Sequence, residues 1–460
     1  MRFSKYIQSF FVILPLLVLS ACSSGGSSSG SGSQQSGSVF TVGTDAPLPG
    51  VVSCEVNVTG ITLNNGTSEV SVLSAPQIVD FAQLSGLHQL LDLSAVPVGS
   101  YTAATITIAN PVIGFIDTTQ TPPVVNTLNG TLDSSSVTVT FAQPFQVNNA
   151  DLIGLALEFD LYRSLITSGG QVTGEVNPMF QMKLVDSSDA SVAVDDFYAG
   201  VVGVTGSDTF NVQGPHGRQW TVQTSSSTVF DDPDEPISAF TTSTIVAITG
   251  QLDRVTKNID ATEVQVVSND GFYLSGLQTY VNPSTGPATE SQLYVRDELP
   301  AITGIEPGDI ASLTLNGSEV YRIGNIKLPL TTLLFNNSAL AAGQRVSFGG
   351  KTSTSNGSTT LTVHRVVLRR QGQVGTLNGN VVVQNGNQGS FQLNDNWTAG
   401  ILLPQPLTVM TTNATNFINV SGLSALQGQT GRIRVVGFII IDPSTSQPVL
   451  VAGSVNVLGS

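Results

Sequence analysis

The chain has 460 residues, of which 40% are hydrophobic and only 11% charged, with 46 glycines and 22 prolines. That length exceeds one ordinary core, and short apolar runs spaced by Gly, Ser, Thr and Asn are the composition of a β-rich secreted protein. The formal net charge of −15, with 17 Lys and Arg scattered along the whole chain, excludes nucleic acid as a partner.

Arg2 and Lys5 precede an apolar stretch from Phe10 to Ser20 that Pro15 interrupts. It has the length of a secretory signal and falls short of the roughly 20 apolar residues a membrane-spanning helix needs. Leu19-Ser20-Ala21-Cys22 resembles the bacterial lipobox. The resemblance implies a signal peptide over 1–21, cleavage before Cys22, and diacylglycerol and palmitate carried on that cysteine. Several acyl chains on one residue anchor firmly, because each buried methylene contributes about 0.8 kcal/mol. Ser23 stands where an aspartate would mark inner-membrane retention, so the outer membrane is expected, on either face. Residues 22–38 are almost all Ser, Gly and Gln, a flexible tether with a reach of roughly 20 to 25 Å.

A first globular region is expected over 39–191. In "VVSCEVNVTGITL", Val52, Cys54, Val56 and Val58 alternate with Ser53, Glu55, Asn57 and Thr59, which predicts a strand with one buried face. Cys54 then points inward, and with Cys22 lipidated it is a buried, inert thiol. Further strands are predicted at 38–44, 101–109, 135–141, 152–161 and 178–185. "VDFAQLSGLHQLLDL" places Phe81, Leu84, Leu87 and Leu91 near helical spacing, so one short helix is expected on an otherwise all-β sandwich, with His88 on its surface.

"TDAP" (Thr44 to Pro47), "VNVTGITL", "LLDL", "VPVGSYTAATITI" and "LEFDLYRSL" follow one another in an order that resembles domain-of-unknown-function family 4382, common in bacterial lipoproteins. The resemblance implies an immunoglobulin-like or transthyretin-like sandwich and brings no activity. Asp45 and Asp160 are the carboxylates within its motifs. They are candidates for holding a ligand or cation, or for a structural role, Asp45 as a turn former.

Three related units follow, at 198–270, 271–371 and 372–460. "VQTSSSTVF" (Val222 to Phe230) is echoed by "VMTTNATNF" (Val409 to Phe417) and more loosely by "LPLTTLLF" (Leu328 to Phe335). "IVAITG", "RVSFGG" and "RIRVVG" end at Gly250, Gly350 and Gly437, and each copy closes with one more strand. A period of roughly 80 to 100 residues suits three tandem small β-barrels. The pattern resembles domain-of-unknown-function family 5666, with the middle copy departing most. The basic stretch "HRVVLRR" (His364 to Arg370) reads first as the outer face of a strand, the other reading being a patch for an anionic ligand.

His88, His216 and His364 are the only histidines, and no HExxH, GxSxG, P-loop, GxGxxG or CxxC occurs. No catalytic residue and no cofactor is expected. The acidic loop "DDPDEP" groups Asp231, Asp232, Asp234 and Glu235, weak candidates for a metal, but its prolines and lack of glycine suit a solvated turn better. Trp220 and Trp397 are expected to fill barrel cores; exposed, they would stack on sugar rings. These features lead to a noncatalytic, lipid-anchored outer-membrane protein with a binding or scaffold role. It would meet the membrane through its lipid, with polysaccharide or envelope proteins as partners. The alternative is a hydrolase or metal-dependent enzyme acting on envelope or extracellular polysaccharide, which two approaching carboxylates in a cleft would favour.

Overall fold

The computed structural model describes residues 35–458 except 47, 49, 85–87, 118–123, 169–170, 186–192, 215–218, 231–235, 254–255, 257, 270, 301, 303, 325–332, 356–357, 396–401 and 404. The described chain is all-β, as the short alternating runs predict. Its first part contains β1 (Ser36–Ala46), β2 (Val51–Asn64), β3 (Glu69–Ser71), β4 (Gln77–Asp80), β5 (Gln89–Pro97), β6 (Gly99–Asp117) and β7 (Val124–Asn129). Then come β8 (Thr131–Leu132), β9 (Ser136–Val147), β10 (Leu152–Asp160), α1 (Leu161–Ser164), β11 (Leu165–Ser168), β12 (Gln171–Val176) and β13 (Phe180–Val185).

Two sheets make the sandwich. One has the order β13-β10-β1-β5, with β1 and β10 parallel; the other has β3-β2-β6-β7, with β4 added to β2 and β9 to β6. Leu155, Leu157, Phe159 and Phe180 from the first sheet meet Cys54, Val56, Val58, Ile106 and Ile113 from the second. Phe159 stacks on Phe180 at 4.6 Å between centroids and takes the edge of Phe81 at 5.2 Å, pairs worth about 0.5–1.5 kcal/mol each beyond their burial.

The first sheet is covered on its other side too. Phe40, Val42, Leu90 and Leu152 join the core of the following unit, which explains why residues 39–43 of β1 are all buried. The helix expected around Phe81 to Leu91 is replaced by a single 3-10 turn at Phe81–Leu84 and then by β5. Pairing decides this: Leu90 and Leu93 lie opposite Val42 and Phe40 on β1, and the ladder supplies backbone hydrogen bonds that outweigh the helical spacing of four leucine-like positions. The short α-helix is instead α1, directly after β10.

The second part contains three units of one design. The first has β14 (Ala193–Val204), β15 (Thr209–Gln213), β16 (Gln219–Gln223), β17 (Val229–Phe230), β18 (Ile245–Leu252) and β19 (Ile259–Ser268). The second has β20 (Phe272–Asn282), β21 (Glu290–Leu299), β22 (Ile310–Thr314), β23 (Val320–Ile323), β24 (Arg345–Ser355) and β25 (Ser358–Leu368). The third has β26 (Gln371–Asn385), β27 (Gln388–Asp395), β28 (Leu407–Thr411), β29 (Asn416–Ile418), β30 (Arg432–Asp442) and β31 (Gln447–Val457).

Their strand orders correspond position for position: 16-15-14-18-19-17, 22-21-20-24-25-23 and 28-27-26-30-31-29. In the first and third units a parallel ladder, β16 with β19 and β28 with β31, closes five strands into a barrel. Among the described residues the second unit has no such ladder. The recurring glycines have a common cause. Gly250, Gly350 and Gly437 each sit at a register shift, where a Cβ would run into the carbonyl oxygen of Asp260, Thr362 or Val451 on the neighbouring strand.

The middle counterpart of "VQTSSSTVF" is displaced from the one expected. It is "LTLNGSEVY", Leu313 to Tyr321: β23 lies parallel to β25 as β17 does to β19 and β29 to β31. One side chain braces the same turn in all three. Thr228, Glu319 and Thr415 accept the N–H of Ser225, Asn316 and Thr412 at 2.9, 2.5 and 2.8 Å. Glu in place of Thr, and Tyr in place of Phe, hides the copy from a comparison of letters while keeping the acceptor and the ring.

Candidate functional site

β2 begins with both faces covered. Cys54 and Val56 face the sandwich core, while Ser53, on the face read from the alternation as polar, and Val52, read with Cys54 but turned away from that core at a register shift between Val51 and Ser53, are closed over by the second unit. There Val52 and Ile116 pack with Leu277 and Tyr294, and Leu402 of the third unit adds to the contact. The Ser53 hydroxyl lies 2.5 Å from that of Tyr294, and a Cβ at Gly114 would overlap both.

Beside this contact sits a buried group of charges. The ladder between β2 and β4 places Glu55 directly opposite Asp80, so the two carboxylates share one face of the sheet. Asp80 accepts the N–H of Cys54 at 2.8 Å and of Ala82 at 3.1 Å through one oxygen. The other oxygen lies 3.5 Å from Nε of Arg296 on β21, with both side chains below a tenth exposed. The contact is Coulombic: neither of the two atoms has a hydrogen-bond partner. Tyr294 and Arg296, two residues apart on β21, therefore grip β2 and β4 together.

Burial pushes the Glu55 carboxyl up to about 8, and the neighbouring charges of Asp80 and Asp297 add to this against the opposing pull of Arg296. Burial also raises Asp80, opposed first by Arg296 and then by its two backbone donors. Arg296 is the largest influence favouring the charged form of Asp80, with Arg345 adding to it, while Glu55 keeps its proton near neutrality. Tyr294 is likewise raised by burial.

A second polar node joins the first and second units. Arg369, 1% exposed, donates from Nε to the Ser347 hydroxyl at 3.0 Å and from Nη1 to the Gln265 amide oxygen, and its guanidinium lies 5.0 Å above the Tyr198 ring. Tyr198 and Tyr273 approach to 4.5 Å between centroids. Arg365 donates to the carbonyl of Val266. The stretch read as a strand's outer face is therefore a docking element, with only His364 pointing clearly outward. At the next junction Gln344 reaches the Ile439 carbonyl at 3.0 Å.

The other residues singled out from the sequence do not gather here. Asp160 caps α1, accepting the N–H of Arg163 at 3.1 Å and pairing with its Nε at 3.5 Å, an interaction worth about 1 kcal/mol as a cap. Asp45 is not in a turn: parallel pairing keeps it in β1 opposite Phe159, and Ala46 lies opposite Asp160. Trp220 is buried with Phe197 against its edge, and Cys54 is fully buried. Cys22, His216, Trp397 and the acidic group Asp231, Asp232, Asp234 and Glu235 lie outside the described residues. Among the described residues no group of three or more His, Cys, Asp and Glu is arranged to hold a metal ion.

Ser53, Glu55, Asp80, Tyr294, Arg296 and Arg369 are absent from the sequence-based candidates. The traces they leave are the three consecutive charges Arg296, Asp297 and Glu298 directly after Leu293-Tyr294-Val295 in β21, and the place of Arg369 in the basic stretch His364 to Arg370.

Residues 36–177 match the model of a family described as Domain of unknown function (DUF4382). The N-terminal domain matches this family. The match runs from β1 through β12 and stops just before the edge strand β13. Glu55 and Asp80 lie inside the DUF4382 match, whereas Arg296 and Tyr294 come from beyond it. No curated protein matches the chain.

Proposed function

We propose that this chain is a noncatalytic cell-envelope lipoprotein, held at the outer membrane through Cys22, whose N-terminal domain is the hub of a scaffold for polysaccharide or envelope proteins. One observation carries the scaffold reading: the DUF4382-matching domain touches all three following units. It shares a core with the first, grips the second through Asp80–Arg296 and Ser53–Tyr294, and meets the third where Arg432 lies 5.4 Å over the Tyr162 ring. The recurring strand order and bulge glycines support duplication of one ancestral unit, in keeping with the resemblance to family 5666. The lipobox, the signal-like residues 1–21 and the Ser/Gly-rich residues that follow support the anchor, although the tether expected over 22–38 gives way at Ser36, where β1 begins to pair with β5.

The Cys22→Ala chain tests the anchor. It is expected in the soluble fraction and without label from radioactive palmitate; retention in the membrane fraction would overturn the reading. A hydrolase reading draws on the raised Glu55 carboxyl beside Asp80 and Asp297. Asp80 is, however, committed to two backbone donors and Arg296, so these carboxyls serve the junction first. New reducing ends released from envelope polysaccharide by the native chain, and lost in Glu55→Gln, would replace the noncatalytic reading with the enzymatic one.

A further inference from the structure

A cleft of about 500 Å³ opens on the third unit, within the roughly 300–1,000 Å³ usual for small-ligand sites. Its floor is the outer face of the parallel pair that closes the barrel, where Met410 lies beside Val451 and Thr408 beside Val449. Leu333 of the second unit forms one wall, because Phe438, Ile440, Val449 and Val451 all pack into that unit's core. The cleft therefore exists only where two units meet. Its rims are two hairpin turns, one between β26 and β27 and the other between β30 and β31.

Around this apolar floor stand carboxamides and hydroxyls. Gln384, Gln388, Ser390, Thr408 and Gln447 all line the cleft, and none of their side chains makes a hydrogen bond within the described protein. Asp442 is the one charged residue among the described lining. It is held below the ordinary carboxylate range by the hydroxyl and N–H of Ser444, at 2.7 and 2.9 Å, so it stays ionised and is engaged in its own turn.

We infer that this cleft binds a neutral oligosaccharide. The absence of a cation among the described lining residues argues against an anionic ligand, since nothing there would offset its desolvation. A carboxamide donates and accepts at once, as a sugar hydroxyl does, and three of them beside two hydroxyls match vicinal hydroxyls without needing charge. The C–H face of a pyranose ring suits Met410, Val449 and Leu333. This inference rests on the binding role proposed above and names its site and ligand class.

The test uses the full chain in detergent micelles against a panel of neutral tetrasaccharides (glucans, mannan, galactan, N-acetylhexosamine oligomers) and uronic-acid oligomers. Binding to at least one neutral member is expected, with affinity about tenfold weaker in Gln388→Ala/Gln447→Ala, two exposed positions whose loss spares the fold. Binding only to acidic oligomers, or no binding, overturns the inference; no binding also removes polysaccharide from the proposed partners. Neutral binding that the double variant leaves unchanged overturns the site while the binding role stands. The anchor is read separately, by fractionation.

Discussion

The guanidinium of Arg296, on β21, lies 3.5 Å from the buried carboxylate of Asp80, on β4, and ties the N-terminal domain to the second β unit. Removing one partner leaves the other charge buried and uncompensated. Arg296→Ala and Asp80→Ala should each cost about 3–5 kcal/mol, whereas an apolar pair such as Asp80→Leu with Arg296→Met should cost much less. Urea unfolding of the three variants measures this; equal losses in single and double variants would show that the charge pair is not the reason.

Glu55 makes the same junction sensitive to pH. Its carboxyl holds a proton up to about 8 when folded, against 4.5 ordinarily, so the folded state binds more protons between those values. Its contribution is full below about 4.5 and is lost as the pH rises through about 8. Asp80, also raised, acts in the same direction. The melting temperature should fall from pH 5 to pH 8.5, and Glu55→Gln should flatten much of that fall. A native profile that rises over this range would contradict it.

Gly437 leaves no room for a side chain beside the Val451 carbonyl. Gly437→Ala should destabilise by about 1–3 kcal/mol through overpacking at the bulge. Gly379→Ala, at a positive φ of 71° with nothing near its Cβ, should cost only backbone strain of about 1 kcal/mol. Paired thermal melts separate crowding from conformation.

Cys54 is fully buried in the sandwich core. If Cys22 carries lipid through its sulfur, the mature chain should present no reactive thiol when native and one in denaturant. Titration with a chromogenic disulfide reagent reads the count. A native thiol reacting at the rate of free cysteine would place Cys54 outside the core.

Local pattern sufficed wherever a residue's role depends on its near neighbours. The alternation of Cys54, Val56 and Val58 determined which face of β2 enters the core, and the spaced glycines at 250, 350 and 437 marked three copies of one unit. Gly serves there because a bulge admits no Cβ, a constraint that repeats with the strand. The same alternation called Ser53 and Glu55 solvent-facing, and the helical spacing around Phe81 to Leu91 called a helix. Both were overruled by partners remote in the chain or lying on another strand. Ser53 meets Tyr294 across 241 residues, and Leu90 is claimed by the β1 ladder. Arg369 gives no sign in its own segment that it will be enclosed by Ser347, Gln265 and Tyr198. Sequence by itself determined that the chain is all-β and repeated, and that Cys54, Val56 and Val58 of β2 line the inner face of the sandwich, though not that Val52 turns away from it. Only the tertiary structure decided which polar residues are buried, because burial at a junction between domains depends on the second surface, and periodicity within one strand carries no information about it.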